Sequence, residues 1–166
     1  MADAGEGVSR SGIPTAIDRW RSVLFGVLLF AFVGRVTAQF TQWVHPTSAL
    51  PQFESFQSGA LPYPVLLACQ ASIIVGGLIF LVGTWRGSFT PRRYLGRVLR
   101  VVGTVYFFAA AFRLLAGLTF LRGVPFFALP IPSMFHMVLA GMLLLVGDFH
   151  ARLRASQPRN STSPGQ

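Results

Sequence analysis

Four long apolar stretches, each of about twenty residues, restrict the fold of this chain more than any other feature. A helix rises about 1.5 Å per residue, so each stretch is long enough to cross a hydrocarbon core of about 30 Å. Membrane β-strands would instead alternate in polarity over about ten residues, and the run VLLACQASIIVGGLIFLVG does not alternate. We therefore predict an all-α, membrane-embedded four-helix bundle with spans at residues 20–42, 61–85, 101–121 and 130–149.

The composition agrees with a membrane protein. Only 11% of the residues are charged and 52% are apolar, whereas a soluble domain carries about 25% charged residues. The net charge of +9 comes from arginine alone, because the chain has no lysine. We do not expect nucleic-acid binding, since the arginines flank the apolar stretches as the positive-inside rule requires. The single cysteine, Cys69, excludes an intramolecular disulfide and a cysteine-rich metal site.

The distribution of arginine predicts the orientation. The basic ends of membrane helices face the cytoplasm, and here they are the N-terminal flank, the connection between the second and third spans, and the tail. We therefore predict a bacterial inner-membrane protein with both termini in the cytoplasm. Its membrane domain covers residues 15–150, between disordered tails at 1–14 and 151–166. The arginines that carry this prediction are Arg10, Arg19, Arg21, Arg86, Arg92, Arg93, Arg97, Arg100, Arg152, Arg154 and Arg159.

The first span has an alternative interpretation as a cleaved signal peptide. Basic residues, an apolar core and the small-residue sequence Val36-Thr37-Ala38 fit such a segment. Arg35 lies directly before that sequence, and the basic leader is long, so we expect the first helix to be retained.

Four polar side chains interrupt the spans, one in each: Arg35, Gln70, Arg113 and His136. Polar groups inside a bilayer are unfavourable and often mark functional sites. Counted along the helices, Arg35 and Arg113 lie roughly 22 Å and 18 Å from the cytoplasmic side, while Gln70 and His136 lie roughly 12 Å and 9 Å from the outer side. All four are therefore expected in the outer half of the bilayer, where they could share one outward-facing pocket.

Helical spacing extends this predicted pocket. Arg35, Gln39 and Gln42 form one stripe, and Tyr106 shares a face with Arg113. Two buried arginines need a counter-charge, for which Glu54 or an external anion is the candidate. Each residue also has a structural interpretation, since Arg35 could extend to the interface and Gln70 or His136 could bond a neighbouring helix.

Other kinds of site receive little support from the sequence. A bis-histidine haem needs a second histidine on a facing helix, and zinc needs a larger ligand set. Asp148 and His150 are expected to be solvated residues at the inner end of the fourth span. We predict no metal site, no catalytic residue and no bound cofactor. A quinone is the one exception to consider, and the histidine positions disfavour haem.

The layout resembles small bacterial four-helix membrane proteins of the DoxX-like kind. The resemblance rests on RWRSVLFGVLLFAF in the first span and on IIVGGLIFLVG in the second, with a basic turn after it. The segments QSGALPYPVLLACQ and FHMVLAGMLLLVGDFH also resemble those of uncharacterised bacterial membrane proteins. The DoxX-like resemblance implies a component of quinone-linked redox chemistry. The chain differs from that pattern because its second span contains no acidic residue, so no catalytic role is carried over.

These observations favour a non-enzymatic accessory or binding subunit. Its polar pocket of Arg35, Gln39, Glu54, Gln70, Tyr106, Arg113 and His136 would bind a quinone, a lipid head group or a small anion. The alternatives are a DoxX-like component of a quinone-linked oxidoreductase and a small-molecule transporter. The expected partners are the lipid bilayer and either other membrane subunits or further copies of this chain.

The orientation can be tested by cysteine labelling. With Ser48→Cys, Gly87→Cys and Ser163→Cys, an impermeant thiol reagent applied to intact cells should label only the first variant, because the arginine-rich side faces the cytoplasm. The unsubstituted chain, with Cys69 in its second span, gives the background. Labelling of Ser163→Cys without labelling of Ser48→Cys would refute the predicted orientation.

Overall fold

The computed structural model describes residues 16–56, 61–86, 88 and 92–155, and the described part is all-α, as predicted. The predicted tail at 1–14, and residues 156–166 of the tail predicted at 151–166, lie outside the described residues. Four long helices dominate, joined by connections that contain a 3₁₀ turn and a one-turn helix. The elements are α1 (Ala16–Val44), the 3₁₀ turn (Phe53–Phe56), α2 (Tyr63–Trp85), α3 (Arg93–Leu118), α4 (Pro125–Ala128) and α5 (Pro130–Ala155).

Two helices extend further than their apolar stretches. α3 begins at Arg93 rather than at residue 101, so most of the predicted basic connection is helical. α5 continues to Ala155, through the first residues of the predicted tail. The sequence interpretation stopped at the first charges, but arginine is a good helix former and the backbone helix continues past the apolar region. Prolines lie in the first turns of α2 and α5, where the missing N–H is tolerated.

The four long helices form a row in the order α2, α1, α5, α3. α1 packs against both α2 and α5, and α5 packs against α3, whereas α2 and α3 make no comparable pairing among the described residues. Phe25, Leu29 and Met142 form the buried centre between α1 and α5. α1 supplies two of these three core residues, so it is part of the packed domain.

The pairing of α3 with α5 is by far the closest in the molecule. Small residues recur every seven positions on both facing surfaces, a spacing that keeps them on one side of each helix. A Cβ atom placed on Gly147 would lie 2.9 Å from the backbone nitrogen of Arg100 and 3.1 Å from the carbonyl oxygen of Gly96, so the two backbones touch. The small residues are Gly96, Gly103, Ala110 and Gly117 on α3, and Ser133, Ala140 and Gly147 on α5.

The remaining helix surfaces are strongly apolar. All four long helices are long and apolar enough to cross a membrane, and only 11% of the apolar stretch of α2 is buried inside the protein. Phe30, Phe108 and Ile79 are each more than 60% exposed. Exposed apolar surface of this extent is typical of contact with lipid rather than water. By length and composition, the four helices are compatible with a multi-pass membrane protein.

The two ends of the bundle differ in charge, and we name them for the features they carry. The basic end holds the α2–α3 connection and the start of α1; the capped end holds the 3₁₀ turn and α4. At the basic end, Arg21 pairs with Asp148 at 2.8 Å, linking α1 to α5. His150 is 5% exposed. The expectation that His150 is solvated was therefore wrong, because the α3–α5 contact continues to this end and encloses it, whereas the Asp148 side chain is 32% exposed.

The α3–α5 contact gives a stability prediction. We expect Gly147→Ala to destabilise the protein by about 1–3 kcal/mol, because the new methyl group meets backbone atoms that cannot rotate away. Thermal unfolding of the purified protein in detergent, followed by circular dichroism, measures this as a fall in Tm.

Gly34→Ala is the matched control, since a Cβ atom there has nothing within 4 Å. Helix propensity alone favours alanine over glycine by about 0.5–1 kcal/mol, so this variant should be neutral or slightly more stable. Equal Tm values for the two variants would contradict the backbone contact between α3 and α5.

Candidate ligand-binding site

The structure separates the predicted site residues into three groups instead of bringing them to one pocket. Arg35, Gln39 and Gln70 form a cluster between α1 and α2, and Tyr106 pairs with His136 between α3 and α5. Arg113 contacts α4. The prediction of a single cavity lined by all of these side chains therefore requires correction. Counting residues along each helix predicts how deep a side chain lies, but it does not predict which helices are neighbours.

The cluster around Arg35 lies at the capped end of the bundle. The Nη1 atom of Arg35 donates to the side-chain oxygen of Gln39 at 3.0 Å, and the side-chain nitrogen of Gln70 donates to the same oxygen at 3.3 Å. The Nη2 atom of Arg35 donates to the backbone carbonyl of Phe56 in the 3₁₀ turn. Gln39 is fully buried and Gln70 is 4% exposed, so this group is part of the interior.

Gln42 and Glu54 have roles that differ from those expected. The Gln42 amide both donates to and accepts from the backbone of Thr47, at 3.1 Å and 3.0 Å, and so fixes the chain after α1. Glu54 is exposed on the 3₁₀ turn. Arg35 bonds the backbone of that turn rather than the Glu54 carboxylate.

The Tyr106–His136 pair joins α3 to α5. The Tyr106 hydroxyl forms a hydrogen bond with Nδ1 of His136, and the two rings meet edge to face with centroids 5.5 Å apart. The same register that brings Gly96 to Gly147 brings these two residues together. Which of the two atoms donates depends on the histidine tautomer.

Arg113 serves the connection between α3 and α5. Its Nη2 and Nε atoms donate to the carbonyl oxygen of Phe126 at 2.7 Å and 3.1 Å, and its guanidinium carbon lies 3.9 Å from the centre of the Phe126 ring. Arg113 is half-buried and remains within electrostatic range of Tyr106 and His136. Both of its hydrogen bonds nevertheless go to the backbone of α4, so its main role in the described structure is to hold that short helix in place.

An apolar cleft, which the sequence analysis did not identify, lies between α2 and α5, with Tyr106 as its one lining residue from α3. Its volume is about 420 Å³, within the range of about 300–1,000 Å³ typical of small-molecule pockets. Tyr106 alone among the lining residues has a polar side chain, and it lies beside His136, toward the capped end. The cleft is lined by Phe25, Ile73, Gly76, Gly77, Phe80, Tyr106, Leu139, Met142, Leu143 and Val146.

The described residues contain no group of three or more histidine, cysteine, aspartate or glutamate side chains placed to hold a metal ion. Comparison of the chain with protein-family models, curated proteins and solved structures gives no match. The resemblance to DoxX-like proteins therefore stays a prediction, and the functional argument rests on the cleft and the polar groups themselves.

The contact of Arg113 with α4 can be tested by hydrogen exchange. Arg113→Met keeps the side-chain length but removes the donors, and hydrogen bonds to charged groups contribute about 1.5–3 kcal/mol. We expect the amides of Phe127 and Ala128, which bond to Val124 within α4, to exchange at least about tenfold faster.

Arg122→Met is the control, because the Nε atom of Arg122 donates to Leu118 four residues before it in the chain. This variant should leave the α4 amides unchanged. Unaltered exchange in Arg113→Met would show that α4 is held by its other contacts.

Proposed function

We propose that this protein is a bacterial inner-membrane binding subunit that holds an isoprenoid quinone in the cleft between α2 and α5, beside Tyr106 of α3. The termini face the cytoplasm, the isoprenoid tail occupies the apolar part of the cleft, and the quinone ring lies against Tyr106. The observation that supports this most directly is the combination of an apolar cleft with one hydrogen-bonding pair at one end.

The placement of the cleft suits a ligand that enters from the lipid. α2 and α5 stand apart on either side of α1, so the cleft opens between two helices whose outer surfaces are apolar. A ligand with a long hydrocarbon tail can enter sideways without leaving the bilayer. A water-soluble ligand would have no corresponding advantage from apolar walls such as those supplied by Phe25, Phe80 and Met142.

The pair of Tyr106 and His136 fits a carbonyl group. A quinone oxygen accepts hydrogen bonds, and the Tyr106 hydroxyl donates to it when the Nδ1–H tautomer of His136 donates to the hydroxyl oxygen. The lining residues include no carboxylate. We therefore propose binding rather than catalysis as the primary role, in an accessory subunit of a larger membrane assembly.

One observation favours a second candidate, a component of a quinone-linked oxidoreductase. The Tyr106–His136 hydrogen bond provides a path along which a proton can move to or from a quinone oxygen. Quinol-dependent electron transfer that needs both Tyr106 and His136 would favour this candidate. Quinone binding without such activity favours the binding subunit.

The test is the quinone content of the purified protein. Gly76→Leu should reduce the bound quinone at least about tenfold, because Gly76 lines the cleft and a Cβ atom there has nothing within 4 Å. The leucine therefore fills the cleft without straining the helix. Tyr106→Phe, which removes one hydrogen bond, should reduce it about threefold to tenfold. Quinones extracted from equal amounts of protein are measured by mass spectrometry.

Gly34→Leu is the matched control, since Gly34 also has free space around it but lies outside the cleft. It should retain the quinone content of the unsubstituted protein. Equal quinone content in Gly76→Leu and Gly34→Leu would refute the proposal, as would the absence of quinone from the unsubstituted protein.

A further inference from the structure

The Arg35 cluster has hydrogen-bonding capacity that the protein itself does not use. Four buried polar atoms have no partner among the described residues: Nε of Arg35, Nε2 of Gln39, the Tyr63 hydroxyl and Oε1 of Gln70. Gln39, Gln70 and Tyr63 are 0%, 4% and 8% exposed. Leaving a buried polar atom unsatisfied costs about 1–3 kcal/mol, so a group of four predicts an occupant.

The hydrogen bonds within the cluster determine which donors and acceptors remain available to a ligand. The Gln39 side-chain oxygen accepts from both Arg35 and Gln70, which fixes the orientation of both amides. The Gln39 nitrogen is therefore left as a donor, and the Gln70 oxygen is left as an acceptor. With Nε of Arg35 and the Tyr63 hydroxyl, the site offers three donating groups and one accepting group.

The charge of the cluster is positive, and no acidic side chain forms an ion pair with Arg35 in the part of the chain that the structure describes. Among the described residues, Arg35 is bonded to a neutral amide and a backbone carbonyl, and its guanidinium carbon lies 5.3 Å from the centre of the Phe135 ring. The sequence has five acidic residues. Three precede the apolar part of α1, and Asp148 pairs with Arg21 at the basic end. Glu54 is exposed on the 3₁₀ turn.

Aromatic packing holds the Tyr63 side chain of the cluster in place. The Tyr63 ring packs between Trp43 and Phe53, with centroid distances of 5.1 Å and 5.0 Å. Tyr63 also lies within electrostatic range of Arg35. The donors of the cluster are thus carried by α1 and by the first turn of α2, beneath the 3₁₀ turn.

We infer that the Arg35 cluster binds a phosphate-type oxyanion that carries a hydroxyl group. The anionic oxygens accept from Arg35, Gln39 and Tyr63, and the hydroxyl donates to Gln70. Free dihydrogen phosphate and the phosphoglycerol head group of a membrane lipid share this chemistry. A carboxylate without a hydroxyl leaves the Gln70 oxygen unsatisfied. The site is separate from the quinone cleft and does not depend on it.

Two measurements on the purified full-length chain distinguish the sources. In the first, thermal unfolding in a neutral detergent is followed at pH 6.5 while phosphate or sulfate is added at equal ionic strength. In the second, native mass spectrometry measures the ratio of bound phosphatidylglycerol to bound phosphatidylcholine from mixed micelles. A response to phosphate identifies the free anion, and a preference for phosphatidylglycerol alone identifies the lipid head group.

The variants identify the residues responsible. Arg35→Gln should weaken binding at least about tenfold in whichever measurement the unsubstituted protein responds, because it removes the charge and Nε. Arg122→Gln, on an exposed arginine at the same end of the bundle, should respond as the unsubstituted protein does. Tyr106→Phe should also leave the phosphate or lipid response unchanged, because Tyr106 is not part of the Arg35 cluster. The result therefore does not depend on whether the cleft binds a quinone.

A second variant keeps the test decisive if Arg35→Gln fails to fold. Gln70→Leu should abolish the preference for phosphate over sulfate, or for phosphatidylglycerol over phosphatidylmethanol, because only the first member of each pair has a hydroxyl for the Gln70 oxygen. Equal responses of the unsubstituted protein, Arg35→Gln and Gln70→Leu in both measurements would overturn the inference and assign the four atoms to buried water.

Discussion

The backbone contact between α3 and α5 is the interaction on which the rest of the structure depends. Small residues at seven-residue spacing allow the two helices to approach until Gly147 meets the backbone of Arg100. In a membrane, such contact is stabilised by van der Waals packing rather than by the hydrophobic effect, because lipid tails are as apolar as the side chains they would replace. The register of this contact places Tyr106 beside His136, and it encloses His150 at the basic end.

The remaining helices attach to this pair in sequence. α1 packs on α5 through Phe25, Leu29 and Met142, and α2 packs on α1. α2 thus lies at the far end of the row from α3, although the two are consecutive in the chain. The cleft follows from this order, since its walls come from α2 and α5, with Phe25 of α1 and Tyr106 of α3 completing the lining. Gly76 keeps the α2 wall low, because a Cβ atom there has nothing within 4 Å, whereas Gly77 packs against Leu29 of α1.

The sequence predicted the elements of the fold but not the arrangement of the site, and particular residues show why. Apolar length and proline position identified the four helices, because both act through local backbone chemistry. The stripe of Arg35 and Gln39 was also correct, since helical periodicity is local. The link from Gln39 to Gln70, the contact of Arg113 with Phe126 and the separation of α2 from α3 depend on which helices are neighbours. Apart from Tyr106, which was predicted, the cleft residues are apolar, so in sequence they cannot be distinguished from ordinary core or lipid-facing positions.

The separation of the polar groups assigns a different chemistry to each. Tyr106 and His136 are neutral hydrogen-bonding groups at one end of an apolar cleft, which suits an uncharged carbonyl compound with a long tail. The Arg35 cluster is charged, enclosed beneath the 3₁₀ turn and rich in donors, which suits an oxyanion. A single ligand bridging both would have to place a charge near Arg35 and its tail beyond His136 on α5. The Arg35 cluster is hydrogen-bonded within α1, α2 and the 3₁₀ turn, whereas the Tyr106–His136 bond joins α3 to α5. Since no hydrogen bond among the described residues links the two groups, we assign a separate ligand to each, although Arg35 lies within electrostatic range of His136.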